Sequence, residues 1–144
     1  MNTTLRPYII LLLFVVFMGC KQESNLQKAG IQLVSPAEMQ NLLQMENVQL
    51  IDVRTPVEYT EGHLPNAQNV NFFDDDFEKQ LEKLDKNQPV CVYCKSGGRS
   101  SKAAKILREK GFKAVYNLDG GIIKWQKEGL EVDESESDGI PKGE

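Results

Sequence analysis

Histidine occurs once in this chain, at His63, tryptophan once, at Trp125, and cysteine three times, at Cys20, Cys91 and Cys94. With Cys20 in the amino-terminal segment and Cys91 and Cys94 on one apolar run, no tetrahedral set of zinc ligands remains, and no metal is expected. Cationic residues are not in excess. The 17 Lys and Arg stand against 21 Asp and Glu, a net charge of −4, and no basic patch runs along the sequence, so nucleic acid is not expected as a partner. Only one long apolar run is present, Ile9-Ile10-Leu11-Leu12-Leu13-Phe14-Val15-Val16-Phe17-Met18, which is short of the roughly 20 residues a spanning helix needs. No internal repeat is visible. What remains is an ordinary composition, 144 residues with 40% hydrophobic and 26% charged, enough for one soluble domain.

The most informative stretch is Gln88-Pro89-Val90-Cys91-Val92-Tyr93-Cys94-Lys95-Ser96-Gly97-Gly98-Arg99-Ser100-Ser101. Val90, Val92 and Tyr93 indicate a buried strand that ends where the glycine pair begins. From Ser100 to Lys110 the residues mostly favour helix, and Gly111 offers a left-handed stop. Cys94 is therefore expected at the carboxyl end of a strand, facing a loop that feeds a helix amino terminus, where open α/β sheets bind ligands. Only a thiolate is nucleophilic, and helix amino termini and cationic neighbours lower a thiol's pKa. The helix dipole, Lys95 and Arg99 supply both influences here. Gly97 and Gly98 permit positive φ, so successive N–H groups can turn inward as an anion nest around the sulfur. A merely structural buried cysteine, the competing reading, needs neither the glycines nor the cations. A reactive thiol is expected.

Cys91 and Cys94 also have the spacing of thioredoxin-like redox pairs. On a strand, however, residues three apart point to opposite faces with Cα atoms ~10 Å apart, whereas a disulfide requires less than about 7 Å. Cys91 reads as a buried apolar filler.

Cys94-Lys95-Ser96-Gly97-Gly98-Arg99-Ser100 resembles the active-site loop of single-domain rhodaneses, the thiosulfate-type sulfurtransferases. Two further stretches match in the same order. One is Leu50-Ile51-Asp52-Val53-Arg54 followed by Glu58 and Gly62-His63-Leu64-Pro65-Asn66-Ala67; the other is Asn117-Leu118-Asp119-Gly120-Gly121 followed by Trp125 and Gly129. The resemblance implies a rhodanese-like α/β fold, no cofactor, and a covalent relay. In it the Cys94 thiolate takes sulfane sulfur from a small anionic donor such as thiosulfate and passes it, as a persulfide, to a thiol or protein-thiol acceptor. Phosphatases and arsenate reductases related by fold are the enzymatic rivals. The phosphatase loop is one residue longer than the four, Lys95, Ser96, Gly97 and Gly98, that separate Cys94 from Arg99 here, and a shorter loop suits one sulfur atom better than a tetrahedral oxyanion. A non-catalytic rhodanese module, carrying sulfur or binding a partner while tethered to a membrane, is the other alternative.

The amino terminus resembles a bacterial lipoprotein signal. Arg6 gives a small positive region, the apolar run follows, and Gly19-Cys20 precedes the polar Lys21-Gln22-Glu23-Ser24-Asn25. Phe17 stands where leucine is usual. Residues 1–19 are accordingly expected to be cleaved, Cys20 to be lipidated, and residues 20–30 to tether an exported domain to a membrane, periplasmic or outward-facing. The domain itself is assigned to residues 31–133, and the acidic residues 134–144 to a disordered tail. An exported Cys94 would need a reductant or persulfide cycling to survive oxidation.

Within the domain, strands and helices alternate, which implies an open parallel sheet with helices on both faces. Strands are expected at Ile31–Val34, Val48–Val53, Asn69–Phe72, in the Cys94 stretch, and at Ala114–Leu118. Ser35-Pro36-Ala37-Glu38 and Thr55-Pro56-Val57-Glu58 are capping boxes with proline at the first helical position. Another helix is expected through Phe77, Leu81 and Leu84, with Asp74-Asp75-Asp76 favouring its amino terminus rather than a metal. A last helix follows Gly120-Gly121 and bears Ile122, Ile123 and Trp125.

Among the other site candidates, Arg99 is expected to hold an anionic substrate or sit against a carboxylate. Lys95 is expected to be solvated or to touch substrate, and Ser96, Gly97 and Gly98 to line the loop. Ser100 reads as the cap of the next helix. Asp52 and Arg54 read as a structural brace beneath the site, Arg54 with Glu58 as an attractive ion pair, and His63 as a structural hydrogen-bonding residue rather than a base for Cys94. Trp125 is expected in the core, as one wall of the pocket.

Overall fold

The computed structural model describes residues 30–134. The expected signal segment, Cys20, nearly all of the tether and most of the acidic tail lie outside the described residues. The five strands are β1 (Ile31–Val34), β2 (Gln49–Asp52), β3 (Gln68–Asn69), β4 (Val90–Tyr93) and β5 (Val115–Leu118). They form one all-parallel sheet in the order β1-β5-β4-β2-β3, so β4 lies at its centre. The helices are α1 (Pro36–Leu42), α2 (Pro56–Thr60), α3 (Phe77–Leu81), α4 (Gly98–Glu109) and α5 (Gly121–Lys127). None of the described helices is long and apolar enough to cross a membrane.

Local chemistry sets the helix starts. At both capping boxes the hydroxyl accepts from the N–H three residues on, Ser35 from Glu38 and Thr55 from Glu58, each at 3.3 Å. The carboxylates return the bond, Glu38 to the Ser35 N–H at 2.8 Å and Glu58 to the Thr55 N–H at 3.0 Å. Two otherwise unpaired donors are satisfied at each helix start. Gly111, at φ +93°, stops α4 as expected.

All four residues of β4 are buried, and their alternation builds two cores. Val90 and Val92 join Ile51, Phe77, Leu81, Ala103 and Leu107 under α3 and α4. Cys91 and Tyr93 join Met39, Leu118, Ile122 and Trp125 under α1 and α5. A central parallel strand must be apolar on both faces because helices cover both.

Beyond single residues at element ends, two elements are shorter than expected. Pairing on β3 is limited to Gln68 and Asn69, although Val70 and Phe72 still donate to the carbonyls of Asp52 and Val53, at 2.9 and 3.2 Å. As an edge strand with one neighbour, it has no second ladder to keep it extended. α3 ends at Leu81, and Leu84 bonds back to it in a turn. Of the three aspartates, Asp74 accepts from the Asn71 amide at 2.6 Å and Asp76 from the Gln80 amide at 2.7 Å.

Candidate active site

Cys94 follows β4 directly, at the carboxyl end of the central strand. Its backbone is clamped by the turn that opens α5: the Ile122 N–H donates to the Cys94 carbonyl at 2.9 Å and the Ile123 N–H to the Lys95 carbonyl at 3.2 Å. That approach requires Gly121. Its φ is +60°, and a Cβ there would stand 2.5 Å from the Cys94 carbonyl oxygen and collide with that of Lys95.

Around the sulfur, the Gly97 N–H donates to Cys94 Sγ at 3.1 Å. Gly97 adopts φ +110° with open space where a side chain would go, so backbone conformation alone demands glycine there. Cys94 is only 1% exposed, and burial pushes its thiol pKa up. Hydrogen bonds from the Ser100 hydroxyl and N–H, and from the Gly97 and Ser96 N–H groups, outweigh burial and leave the thiol below the ordinary value. Donors converging on one sulfur are what stabilise a thiolate. Cys91 has no such donors: burial alone pushes its thiol up to about 12. Both cysteines are free, and they face opposite cores.

Two loop expectations need correction. Gly98 does not take positive φ; it is the first residue of α4, and Gly97 is the cap. Ser100 is therefore not a cap but lies in the first turn of α4, fully buried, with its hydroxyl 3.2 Å from the Gly97 carbonyl and its donors on the sulfur. The helix starts earlier than composition suggests because glycine in the left-handed region can begin it without a side-chain cap.

The ion pairs are also exchanged. Glu58 does not pair with Arg54; it receives the Arg99 fork, Nη1 to Oε2 and Nη2 to Oε1, both at 2.7 Å. The Arg99 hydrogen bonds hold the Glu58 carboxyl at about 2, against an ordinary 4.5. The other side of the guanidinium lies 5.6 Å from the centre of the Phe73 ring. Of the two roles expected for Arg99, the structure places it against a carboxylate. Lys95 is exposed and borders a cleft of about 210 Å³ shared with Arg54, Glu58, Ile122, Ile123 and Gln126.

Beneath the loop, Arg54 and Asp52 form a buried pair. Arg54 Nη2 lies 2.6 Å from Asp52 Oδ2 and also donates to the Gly62 carbonyl at 2.6 Å, which ties β2 to the end of α2. The Tyr93 hydroxyl bonds to Asp52 and accepts from the Leu64 N–H at 3.0 Å. Both side chains of the pair are engaged within the fold. His63 is structural as well: its Nδ1 is 3.0 Å from the Tyr59 carbonyl, its ring stacks on Tyr59 at 3.8 Å, and its backbone bridges to Asp133. Trp125 is buried and donates to the Glu131 carbonyl at 2.8 Å, but the cleft it borders holds Gln40, Leu43 and Pro65 rather than the Cys94 loop. Among the described residues no cluster of histidine, cysteine and carboxylates could hold a metal ion.

Sequence reasoning missed the Tyr93 hydroxyl and the Ile122 and Ile123 amides. Backbone donors leave no mark in a sequence.

The description of a rhodanese-like domain matches residues 35–128. The chain is 35% identical over 101 residues to a sulfurtransferase from Allochromatium vinosum, covering 70% of this chain and 92% of the relative. A thiosulfate sulfurtransferase from Pseudoalteromonas translucida is 35% identical over 96 residues, covering 65% of this chain and 87% of that protein. A tRNA uridine(34) hydroxylase from an Aster yellows witches'-broom phytoplasma is 35% identical over 117 residues, 78% of this chain but only 38% of that protein. Among solved structures, the polysulfide-sulfur transferase homodimer from Wolinella succinogenes superposes with a TM-score of 0.64 at 35% identity, covering 81% of this chain and 89% of that one.

Proposed function

Because this chain belongs to the rhodanese-like domain family, we propose that it transfers sulfane sulfur through a persulfide on Cys94. The observation that carries this reading is the sulfur held by the Ser96, Gly97 and Ser100 donors, with its thiol pKa below the ordinary value despite burial. The Cys94 thiolate attacks the outer sulfur of a donor such as thiosulfate. The donor's S–S bond breaks, and sulfite leaves with the bonding pair. The new terminal sulfur on Cys94 carries the negative charge and remains within reach of the loop donors. An acceptor thiolate, or cyanide in a laboratory assay, then attacks that sulfur and releases the Cys94 thiolate. No separate base is required when the thiol is already ionised.

Two features favour this over phosphate or arsenate chemistry. Arg99, the cation that would clasp an oxyanion, is engaged on both prongs by Glu58. A cysteine residue only 1% exposed also suits a slender, terminal sulfur reactant better than a bulky ester. The chain spans little more than a third of the tRNA hydroxylase it matches, and hydroxylation is not part of this reading. Thiosulfate as donor is supported by the relative of that name, and polysulfide by the solved neighbour. The second reading is sulfur carriage without turnover.

Purified protein is expected to release sulfite from thiosulfate when cyanide or a dithiol is supplied. Cys94→Ser should abolish release and Cys91→Ser leave it largely intact. Turnover of phosphate esters instead would overturn the reading. A one-sulfur mass increment on Cys94 without turnover would favour the carrier. The cellular setting belongs to the same proposal: the Gly19-Cys20 signal pattern supports export and lipid anchoring to a bacterial membrane. Metabolic labelling with a fatty acid, lost in Cys20→Ala, is the result expected of it.

A further inference from the structure

Asn117 is out of place. It is the third residue of β5, fully buried, and its Cα neighbours in register are Leu33 on β1 and Val92 on β4. Strand alternation puts it on the side of Val115, in the apolar core under α4. Its Nδ2 donates to Ser101 Oγ at 3.1 Å, while its Oδ1 has no hydrogen-bond partner. A residue serving only to fill this space would be leucine or valine, which leave no orphaned acceptor.

The contacts beyond Ser101 suggest what the amide does. A hydroxyl has one proton. Because Asn117 donates to Ser101 Oγ, that proton is free for the Gly97 carbonyl, 2.7 Å away. The same carbonyl also accepts the Ser101 N–H at 3.0 Å. Gly97 is the residue whose own N–H meets the Cys94 sulfur and whose φ of +110° turns the loop into α4. A one-way chain of donors thus runs from the sheet, through Asn117 and Ser101, to the residue that holds the thiol.

We propose that Asn117 is a positioning residue for the Cys94 loop: its amide orients the Ser101 hydroxyl, which anchors the Gly97 carbonyl in α4 and keeps the Gly97 N–H on the sulfur. The inference rests on Cys94 acting as a thiolate. Asn117 touches neither the sulfur nor a substrate and acts through Ser101.

The test reads the thiol itself, so it does not depend on any sulfur-transfer assay. The rate of alkylation of Cys94 by iodoacetamide is followed against pH in the full chain, with circular dichroism to confirm folding. Asn117→Leu fills the same space without the amide. Its rate at mildly acidic pH is expected to fall severalfold, while the alkaline plateau, where every thiol is ionised, stays at the wild-type level. Ser101→Ala should reproduce that shift, Ser101→Thr should restore the wild-type profile, and the Asn117→Leu/Ser101→Ala double variant should shift no further than either single change. A wild-type profile in Ser101→Ala would overturn the proposal, whether or not Asn117→Leu folds. So would additive shifts in the double variant, since the two residues would then act by separate routes. Loss of sulfite release with these alkylation results intact would overturn the sulfurtransferase reading alone.

Discussion

Glu58 and Arg99 are forty-one positions apart in sequence and joined by two parallel bonds of 2.7 Å, carboxylate to guanidinium fork. Glu58 also closes the capping box of α2 through the Thr55 N–H, so one carboxylate ties that helix to the Cys94 loop. The side chains are about one-fifth exposed, 23% and 20%, so the pair is shielded but not dry.

Glu58→Gln should therefore cost about 1–2 kcal/mol of unfolding free energy at neutral pH, after allowance for solvent screening. The pH dependence has a definite sign. A carboxyl held at about 2 in the folded chain and 4.5 in the open chain contributes stability above 4.5 that disappears as pH falls through that window to about 2. Denaturant titrations across it should show the wild type losing this increment and Glu58→Gln losing none of it. Parallel pH profiles would show that the fork contributes nothing.

The Cys94 thiol is depressed below its ordinary 9.0, so its reactive form persists into pH where a free cysteine is protonated, and fades as pH falls through the lowered value. The Ser100 hydroxyl is the largest of the contributions that lower it. Ser100→Ala should move the alkylation limb toward the free-cysteine range and slow sulfite release most in mild acid. A wild-type limb coinciding with that of free cysteine would remove the basis for the nucleophile.

Gly121 and Gly129 both hold positive φ, +60° and +75°, but only Gly121 has backbone oxygens where a Cβ would go. Gly129→Ala should cost about 1 kcal/mol for conformation alone, and Gly121→Ala distinctly more because the Cys94 strand end must shift. Sulfite release should drop in Gly121→Ala and be unchanged in Gly129→Ala. Equal losses in both would mean the close approach has no bearing on the loop.

Asp52→Asn would leave the buried Arg54 guanidinium without its counter-charge, at a cost of about 3–5 kcal/mol in chemical denaturation. Arg54→Lys should not be benign, because one ammonium in the place of Nη2 would forfeit the Nε bonds to both Asp52 oxygens. Stability of Arg54→Lys within about 1 kcal/mol of wild type would sink the bracing role.

What the sequence determined by itself was whatever neighbouring residues decide. The capping boxes at Ser35 and Thr55, the apolar alternation of β4, the glycine stop after α4 and the place of Cys94 at a strand end all follow from residues a few positions apart. The opposite facings of Cys91 and Cys94 follow from the same strand period. Tertiary structure decided the partners. Arg54 lies four residues before Glu58 and looked like its mate, yet the guanidinium that reaches Glu58 comes from the first turn of α4, while Asp52 takes Arg54 at closer range. The start of α4 at Gly98, and with it the role of Ser100, depended on a backbone angle that glycine permits but does not announce. The clamp from Ile122 and Ile123 is built from amides every residue carries, and only the crossing of two chain segments can aim them.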